Sequence, residues 1–364
     1  MSGSYPPPGG TPGDQSWPAP GSQPAPGPQP APPSWAPPPP PTGPQGWSGA
    51  AHKPGAVPLR PLTLGDFYDA AFKIIRYNPG ATVGSAVLVT AVAMAIPVAV
   101  TAGLATTVDL TSSMSDPAGP SSDELVGFLG AMGSLMLGLV LQSIGLVLVT
   151  GMIAHVTMAA TLGQRLTLGQ AWAATRGQRW RLIGLTFLLG VLVAVVAGVY
   201  VGTWVVAIGV LDGWGLFWFG LVTVPLFLAA LTVFWVRVYY LAVPSLMLEN
   251  RRIWESLGRS ARLTRKAFWR TFGIALLTAI LTQVAGALLS TPISLGTMAL
   301  TMLGGVDPES PLLLVLSQAT SAVVTAAFVA PFVTAVSCLQ YIDLRIRKEG
   351  YDVELMTRAG LPRP

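Results

Sequence analysis

The side chains that carry most enzyme chemistry are scarce in this sequence of 364 residues. Histidine occurs only as His52 and His155, and Cys338 is the only cysteine. Because His52 lies in a proline-rich stretch, the chain offers no nucleophile–base pair, and it has no second cysteine for a disulfide or a metal cluster. The sequence also lacks a Gly-x-x-x-x-Gly-Lys-Ser/Thr loop, a His-Glu-x-x-His pair and a Gly-x-Ser-x-Gly elbow. We therefore expect a protein that is not an enzyme and holds no metal or cofactor.

Two groups of charged side chains could bind anionic groups or pair with each other. The first group consists of Arg251, Arg252, Arg259, Arg262, Arg265 and Lys266. We expect these cations to contact anionic lipid headgroups, and specific binding of one phospholipid headgroup or of a phosphorylated partner is the alternative. The second group consists of Asp343, Arg345, Arg347 and Glu349. Their spacing predicts a structural ionic latch at the base of the last apolar helix, with headgroup binding by Arg345 and Arg347 as the alternative.

Helices that cross a membrane must position these groups. The chain is 51% hydrophobic and only 10% charged, whereas soluble domains average about 25% charged residues. Residues 182–236 contain one charged residue, Asp212, so they can form two helices of about 20 residues that cross a ~30 Å bilayer core and turn near Asp212. One crossing each is predicted by four more charge-free intervals, at residues 77–108, 125–164, 271–306 and 310–342. The predicted fold class is all-α, a polytopic membrane bundle of six transmembrane helices.

All 21 lysine and arginine residues lie on one side of this predicted bundle. They occur before the first span, between spans two and three, between spans four and five, and after the sixth, whereas the alternate loops carry only acidic charges. Because cytoplasmic loops collect Lys and Arg, the pattern predicts a multi-pass protein of the cell membrane with both termini cytoplasmic. Membrane orientation thus accounts for the net charge of +5, and no nucleic acid is expected as a partner.

The chain divides into three regions by composition. Residues 1–58 are rich in proline, since 21 of the 33 prolines occur by residue 61, and they predict a disordered cytoplasmic tail. The composition favours a solvated spacer, and a docking tail for a protein partner that binds proline-rich segments, at residues 37–41, is the alternative. Residues 59–345 form the predicted membrane domain, and residues 346–364 form a C-terminal cytoplasmic tail.

A short motif indicates an internal repeat. Residues 62–66, Leu-Thr-Leu-Gly-Asp, return as Leu-Thr-Leu-Gly-Gln at residues 166–170. In the first copy, Thr63 and Asp66 predict a capping box that begins an amphipathic helix at the membrane surface. Residues 245–270 take the same place before the last two spans, with an apolar side expected at Ile253, Leu257, Ala261, Thr264 and Phe268. The predicted unit is an interfacial helix followed by a transmembrane hairpin, repeated three times.

The spans themselves carry three features that bear on packing. Small residues recur every four positions in four spans, and those of the third span are Gly190, Ala194, Gly198 and Gly202. They predict close packing within the bundle, with a homo-oligomer seam as the alternative. Prolines predict kinks that could open a cavity, and Pro292 is expected to interrupt the fifth span. His155 lies inside the second span, where a hydrogen-bonded packing role is expected and a proton relay is the alternative.

Two motifs resemble a known family. Residues 58–66, Pro-Leu-Arg-Pro-Leu-Thr-Leu-Gly-Asp, with Asn78 and Pro79, form the first. Residues 341–352, Tyr-Ile-Asp-Leu-Arg-Ile-Arg-Lys-Glu-Gly-Tyr-Asp, form the second. Together they resemble a bacterial family of multi-pass membrane proteins with proline-rich tails, which is similar to the membrane domain found beside glycerophosphodiester phosphodiesterases. The resemblance covers about residues 58–356 and implies no hydrolysis, because in that larger family a separate soluble barrel carries the metal-binding carboxylates and histidines.

These observations favour a non-enzymatic membrane scaffold or accessory protein that meets partners through its tail and basic loops. The alternative is a transporter or lipid-handling protein with a cavity between proline-kinked helices. A lipid-sized pocket between the spans bears on this choice, because a packed bundle that lacks any polar cavity at mid-membrane excludes the second hypothesis.

Overall fold

The computed structural model describes residues 55–58, 60–104, 122–304 and 311–358, and no strand occurs in these ranges. The predictions for residues 1–54 of the proline-rich tail, and for most of the loop between the first two spans, fall outside the described residues. The predicted C-terminal tail is described as far as residue 358.

Helices of very different lengths make up the described chain. They are α1 (Leu64–Tyr77), α2 (Ser85–Leu104), α3 (Ser122–Thr161), α4 (Leu168–Ala174), α5 (Arg179–Val210), α6 (Gly213–Phe234), α7 (Ala242–Glu249), α8 (Ile253–Thr264), α9 (Phe268–Met302), α10 (Pro311–Glu349) and α11 (Tyr351–Arg358). Two π-helical segments, Gly80–Gly84 and Trp235–Tyr239, lead into α2 and continue α6. In the described ranges six helices, α2, α3, α5, α6, α9 and α10, are long and apolar enough to cross a membrane. The predicted fold class is confirmed.

Helices α2, α3, α9 and α10 form the packed core of the bundle. Helix α2 packs along α3 and α10, and α9 packs along α10. Small residues allow the close approaches, since a Cβ at Gly138 would lie 2.8 Å from Pro97 and one at Gly286 would lie 3.2 Å from Thr325. The expected interruption at Pro292 is wrong, because α9 runs through it. A proline leaves one backbone carbonyl of the preceding turn without its usual N–H donor. Apolar helices tolerate this because Ser and Thr hydroxyls or neighbouring helices can satisfy that carbonyl.

One end of the bundle, called the charged end here, carries the arginines and lysines that flank the membrane helices. The hairpin formed by α5 and α6 is attached to the core mainly at this charged end. Leu182, Leu185 and Leu189 near the start of α5 are buried, whereas α6 buries no residue. The predicted turn is present, because Asp212 caps α6 by accepting from the backbone N–H of Gly215 at 2.7 Å. The small residues of the third span are exposed, so the prediction that this stripe packs closely within the bundle is wrong and the homo-oligomer alternative stays open.

Short amphipathic helices surround the charged end of the bundle. Helices α1 and α4 both begin with capping boxes, at Thr63 with Asp66 and at Thr167 with Gln170, which gives the sequence repeat a structural counterpart. The apolar face of α1 packs against α10, where Phe67 joins the same buried cluster as Phe332, Val336 and Leu339.

Helix α8 differs from its prediction. Its buried residues are Ser256, Ser260, Leu263 and Thr264, whereas most of the expected apolar face, Ile253, Leu257 and Ala261, is only partly buried. A stripe of hydroxyls spaced four residues apart therefore forms the packed side of this helix.

Candidate functional site

Asp343, near the end of α10, is the centre of the first charged cluster and is 1% exposed. Its carboxylate accepts from Nε of Arg347 at 3.0 Å and pairs with Arg270 of α9 at 3.2 Å. The backbone N–H of Leu62 donates to the same carboxylate at 2.8 Å, and both arginines donate to the Leu62 carbonyl, at 2.6 and 3.0 Å. These four residues, the Asp343 cluster, tie the chain before α1 to the ends of α9 and α10.

Glu249, the last residue of α7, anchors a second charged cluster. Its carboxylate accepts from Arg259 of α8 at 3.0 Å and from the hydroxyl of Tyr341. Arg259 also pairs with Glu349 at 2.6 Å, and Arg345 lies 3.1 Å from Glu349 and 3.4 Å from Glu249. We call this group the Glu249 cluster: Glu249, Arg251, Arg259, Tyr341, Arg345 and Glu349. It joins α7, α8 and α10, which are distant in sequence.

Arg259 shows how the Glu249 cluster offsets the free-energy cost of removing a charged side chain from water. Its side chain is 14% exposed, and loss of water by itself would lower the pKa of the guanidinium. Hydrogen bonds from Arg259 to its partners in the cluster outweigh that effect and raise the pKa above the usual arginine value. The guanidinium is therefore held as a permanent cation between two carboxylates.

Two further contacts dock neighbouring helices on the end of α10. Nζ of Lys348 donates to the carbonyl of Leu263 at 2.7 Å and to that of Arg265, at the C-terminal end of α8, where the helix dipole favours a cation. The guanidinium of Arg345 lies 3.5 Å from the centre of the Tyr351 ring in α11. Burial raises the pKa of the Tyr351 phenol despite the nearby arginines, so this ring stays neutral at physiological pH.

The structure brings the four predicted latch residues together in two pairs. Asp343 contacts Arg347, and Arg345 contacts Glu349, in each case one helical turn apart. Sequence reasoning missed Glu249, Tyr341 and Arg270, which extend these pairs to neighbouring helices. The available signal for Glu249 was its position as a carboxylate in a mostly basic segment. The function of these residues as a latch stays a prediction.

The predicted lipid-surface cations separate into two groups. Four of them are exposed, namely Arg252, Arg262, Arg265 and Lys266. Arg259 differs from its prediction, because its guanidinium lies between Glu249 and Glu349 inside the Glu249 cluster. Arg251 pairs with Glu249 as well, and its side chain is 34% exposed. The two carboxylates at the ends of α7 and α10 thus recruit cations that the charge pattern alone assigned to lipid.

A π-helical segment, Trp235–Tyr239, borders two clefts between the membrane helices. The hairpin cleft, of about 640 Å³, lies between α5, α6 and α9. The core cleft, of about 440 Å³, lies between α3, α7 and α10. Trp235 and Tyr239 line both clefts, and among the described residues no acidic or basic side chain lines either one.

The two clefts differ in chemistry. The hairpin cleft is lined by leucines, valines, alanines and phenylalanines with few hydroxyls, and a cavity of about 280 Å³ between α5 and α6 shares Val193, Leu231 and Phe234 with it. The core cleft has more residues with polar side chains in its lining, among them Gln142, Thr150 and Ser337. The first is suited to a hydrocarbon chain and the second to a group that forms hydrogen bonds.

His155 makes a local contact. Its Nδ1 lies 3.1 Å from the carbonyl of Gly151 one turn earlier in α3, and the residue is half-buried. This contact agrees with the packing role expected from the sequence.

The fold and these contacts define a polytopic membrane protein that, in its described residues, has six helices able to cross a membrane, ion-paired clusters at one end and two clefts between the helices. Comparison of the chain with family models, with curated proteins and with solved structures finds no match. The resemblance to the membrane domain found beside glycerophosphodiester phosphodiesterases therefore stays a prediction.

Proposed function

We propose that this chain is a non-enzymatic lipid-handling protein of the cell membrane, with both termini in the cytoplasm, which binds a lipid between its α5–α6 hairpin and the helical core. The observation that supports the proposal is the hairpin cleft of about 640 Å³. Its size lies within the range of about 300–1,000 Å³ that small-molecule sites occupy. The cleft therefore favours the hypothesis of a transporter or lipid-handling protein over that of a scaffold without a ligand.

The attachment of the hairpin explains why a lipid fits there. Leu185 and Leu189 pack at the charged end, whereas α6 buries no residue along its length, so the hairpin and α9 leave an apolar gap. An apolar gap inside a bilayer is filled most readily by an acyl chain, because its walls offer dispersion contacts and few hydrogen bonds. Ion-coupled transport is less well supported, since among the described residues no acidic or basic side chain lines either cleft.

The test is to fill the hairpin cleft and measure bound lipid. Gly190 lines the cleft, and a Cβ at this position would meet no atom within 4 Å, so Gly190→Phe can place a ring in the gap without disturbing the backbone. Gly198 is equally open but lies outside the cleft lining, so Gly198→Phe is the matched control. Native mass spectrometry of the purified protein should show lipid retained by the wild type and by Gly198→Phe and lost from Gly190→Phe. Equal retention by all three proteins would contradict the proposal.

A scaffold role is the second candidate, favoured by the exposed cations at the charged end. Arg252, Arg262, Arg265 and Lys266 are available to anionic headgroups or to an acidic partner. Deletion of residues 1–55 should abolish capture of a partner that binds the proline-rich tail, and unchanged capture would count against this role.

A further inference from the structure

Arg237 lies in the sequence between Trp235 and Tyr239, which both line the hairpin cleft, and its surroundings point to the headgroup of the bound lipid. We propose that Arg237 binds the phosphate of an anionic phospholipid from the cytoplasmic leaflet, while Tyr239 donates to an ester oxygen of that lipid and an acyl chain occupies the hairpin cleft. The inference rests on the proposed function, because it assigns the headgroup of the lipid that the cleft holds.

Arg237 lies at a depth in the membrane at which its side chain can contact a lipid headgroup. It lies 25 residues beyond Asp212 in a helix that continues through the π segment, a rise of about 37 Å at 1.5 Å per residue. This distance exceeds the ~30 Å hydrocarbon core, so the guanidinium can reach the phosphate layer while the preceding turns stay among the acyl chains.

Arg237 is free to bind an anion from outside the protein. Within the described ranges it has no carboxylate within the 4.0 Å of an ion pair, unlike Arg259, Arg270, Arg345 and Arg347, and the residue is exposed. Its guanidinium lies 5.8 Å from the centre of the Phe268 ring. A cation above an aromatic face keeps its N–H donors available at the edge, and these donors can bind phosphate oxygens in pairs.

An aromatic path connects this cation to the cleft. Phe268 stacks on Phe272 with ring centres 5.9 Å apart and planes 1° apart, and Phe272 lines the hairpin cleft. Trp235 and Tyr239, two residues on either side of Arg237, line the same cleft. The Tyr239 hydroxyl has no hydrogen-bond partner in the described part of the chain, so it can donate to an ester oxygen of the lipid.

The backbone that carries Arg237 is fixed by buried hydroxyls. The Arg237 carbonyl accepts from Ser260 at 2.9 Å and from Thr264 at 3.5 Å, and both of these α8 residues are fully buried. A π-helical segment has irregular carbonyl bonding, and here α8 supplies the donors that hold one such carbonyl. The backbone of Arg237 is thus positioned before a lipid arrives, which lowers the part of the entropy cost of binding that comes from ordering the main chain.

The test offers the full-length protein in detergent equal amounts of phosphatidylglycerol and phosphatidylcholine with identical acyl chains, and native mass spectrometry counts each bound lipid. The wild type should prefer phosphatidylglycerol about tenfold, because the choline of phosphatidylcholine places a cation beside the same phosphate and weakens its attraction to Arg237. Arg237→Gln should lose this preference and retain the same total lipid, whereas Arg237→Lys should keep most of the preference because it keeps the charge.

Arg252→Gln is the matched control, because Arg252 is likewise exposed but lies at the start of α8, whereas Arg237 is two residues from Trp235 and Tyr239 in the cleft lining. An unchanged preference in Arg237→Gln, or an equal loss in Arg252→Gln, would overturn the inference. Lipid binding that Gly190→Phe does not reduce overturns the proposed function itself. Binding that Gly190→Phe abolishes, but that shows no headgroup preference in the wild type, overturns only the assignment of Arg237 and Tyr239.

Discussion

The backbone N–H of Leu62 donates to the carboxylate of Asp343 at 2.8 Å, which joins residues 281 positions apart. Leu62 precedes the first interfacial helix, and Asp343 lies near the end of the last membrane helix. Because Leu62 is 1% exposed and its carbonyl accepts from two arginines, both of its backbone groups are satisfied inside the Asp343 cluster. The segment before α1 and the C-terminal part of α10 are thus held together at the charged end of the bundle.

Substitution Asp343→Asn should destabilise the protein. The amide keeps the shape and can still accept from Leu62, but it removes the charge that faces Arg270 and Arg347. Since both arginines are about one-third exposed, we expect a loss of about 2–3 kcal/mol, less than for a fully buried pair. The measurement is the thermal unfolding midpoint in detergent. Asp69→Asn is the control, since its ion pair is exposed and it should shift the midpoint little.

Glu249→Gln should be destabilising for a different reason. It leaves Arg259, which is 14% exposed, with Glu349 as its remaining carboxylate and weakens the bond from the Tyr341 hydroxyl. A partly desolvated cation with one partner removed costs about 2–3 kcal/mol. Detergent unfolding of Glu249→Gln and of Asp69→Asn, whose exposed ion pair with Lys73 lies outside the Glu249 cluster, should separate the two variants clearly. Equal midpoints would show that the Glu249 cluster does not stabilise the fold.

Ser260→Ala should loosen the π-helical segment. The substitution removes the hydroxyl that donates to the Arg237 carbonyl at 2.9 Å in a fully buried position, which costs about 1–2 kcal/mol. Hydrogen exchange of residues 235–240 should accelerate, whereas Ser143→Ala should leave it unchanged, because Ser143 is exposed and bonds within its own helix. Protection that stays at the wild-type level would mean that α8 does not hold this segment.

The membrane fold could be predicted from the sequence because the bilayer imposes simple rules of length and charge. An interval such as residues 182–236, with Asp212 as its only charge, has few arrangements other than a hairpin, and Asp212 caps α6 where the turn was expected. The capping box of Thr63 and Asp66 is likewise local, since it needs residues only three positions apart.

The packed side of α8 and the clefts could not be predicted in the same way. Hydrophobicity indicated Ile253 and Leu257 as the inner face, yet the structure buries Ser256 and Ser260. The reason is the carbonyl of Arg237, which needs donors from another helix, and no pattern within α8 reveals that need. The hairpin cleft depends on how far α5 and α6 stand from α9, a tertiary quantity that the composition of each helix does not contain.

Single-cysteine labelling tests the proposed orientation, and the chain provides a suitable background. Cys338 is the only cysteine and is buried, so it should not react with a membrane-impermeant maleimide in folded protein. Arg262 and Trp214 are both exposed, at the charged end and at the tip of the hairpin respectively. In intact cells Trp214→Cys should be labelled and Arg262→Cys should be labelled only after the membrane is permeabilised, because loops that collect Lys and Arg stay in the cytoplasm. The reverse pattern would place the Asp343 and Glu249 clusters outside the cell and would remove the cytoplasmic leaflet as the source of the lipid.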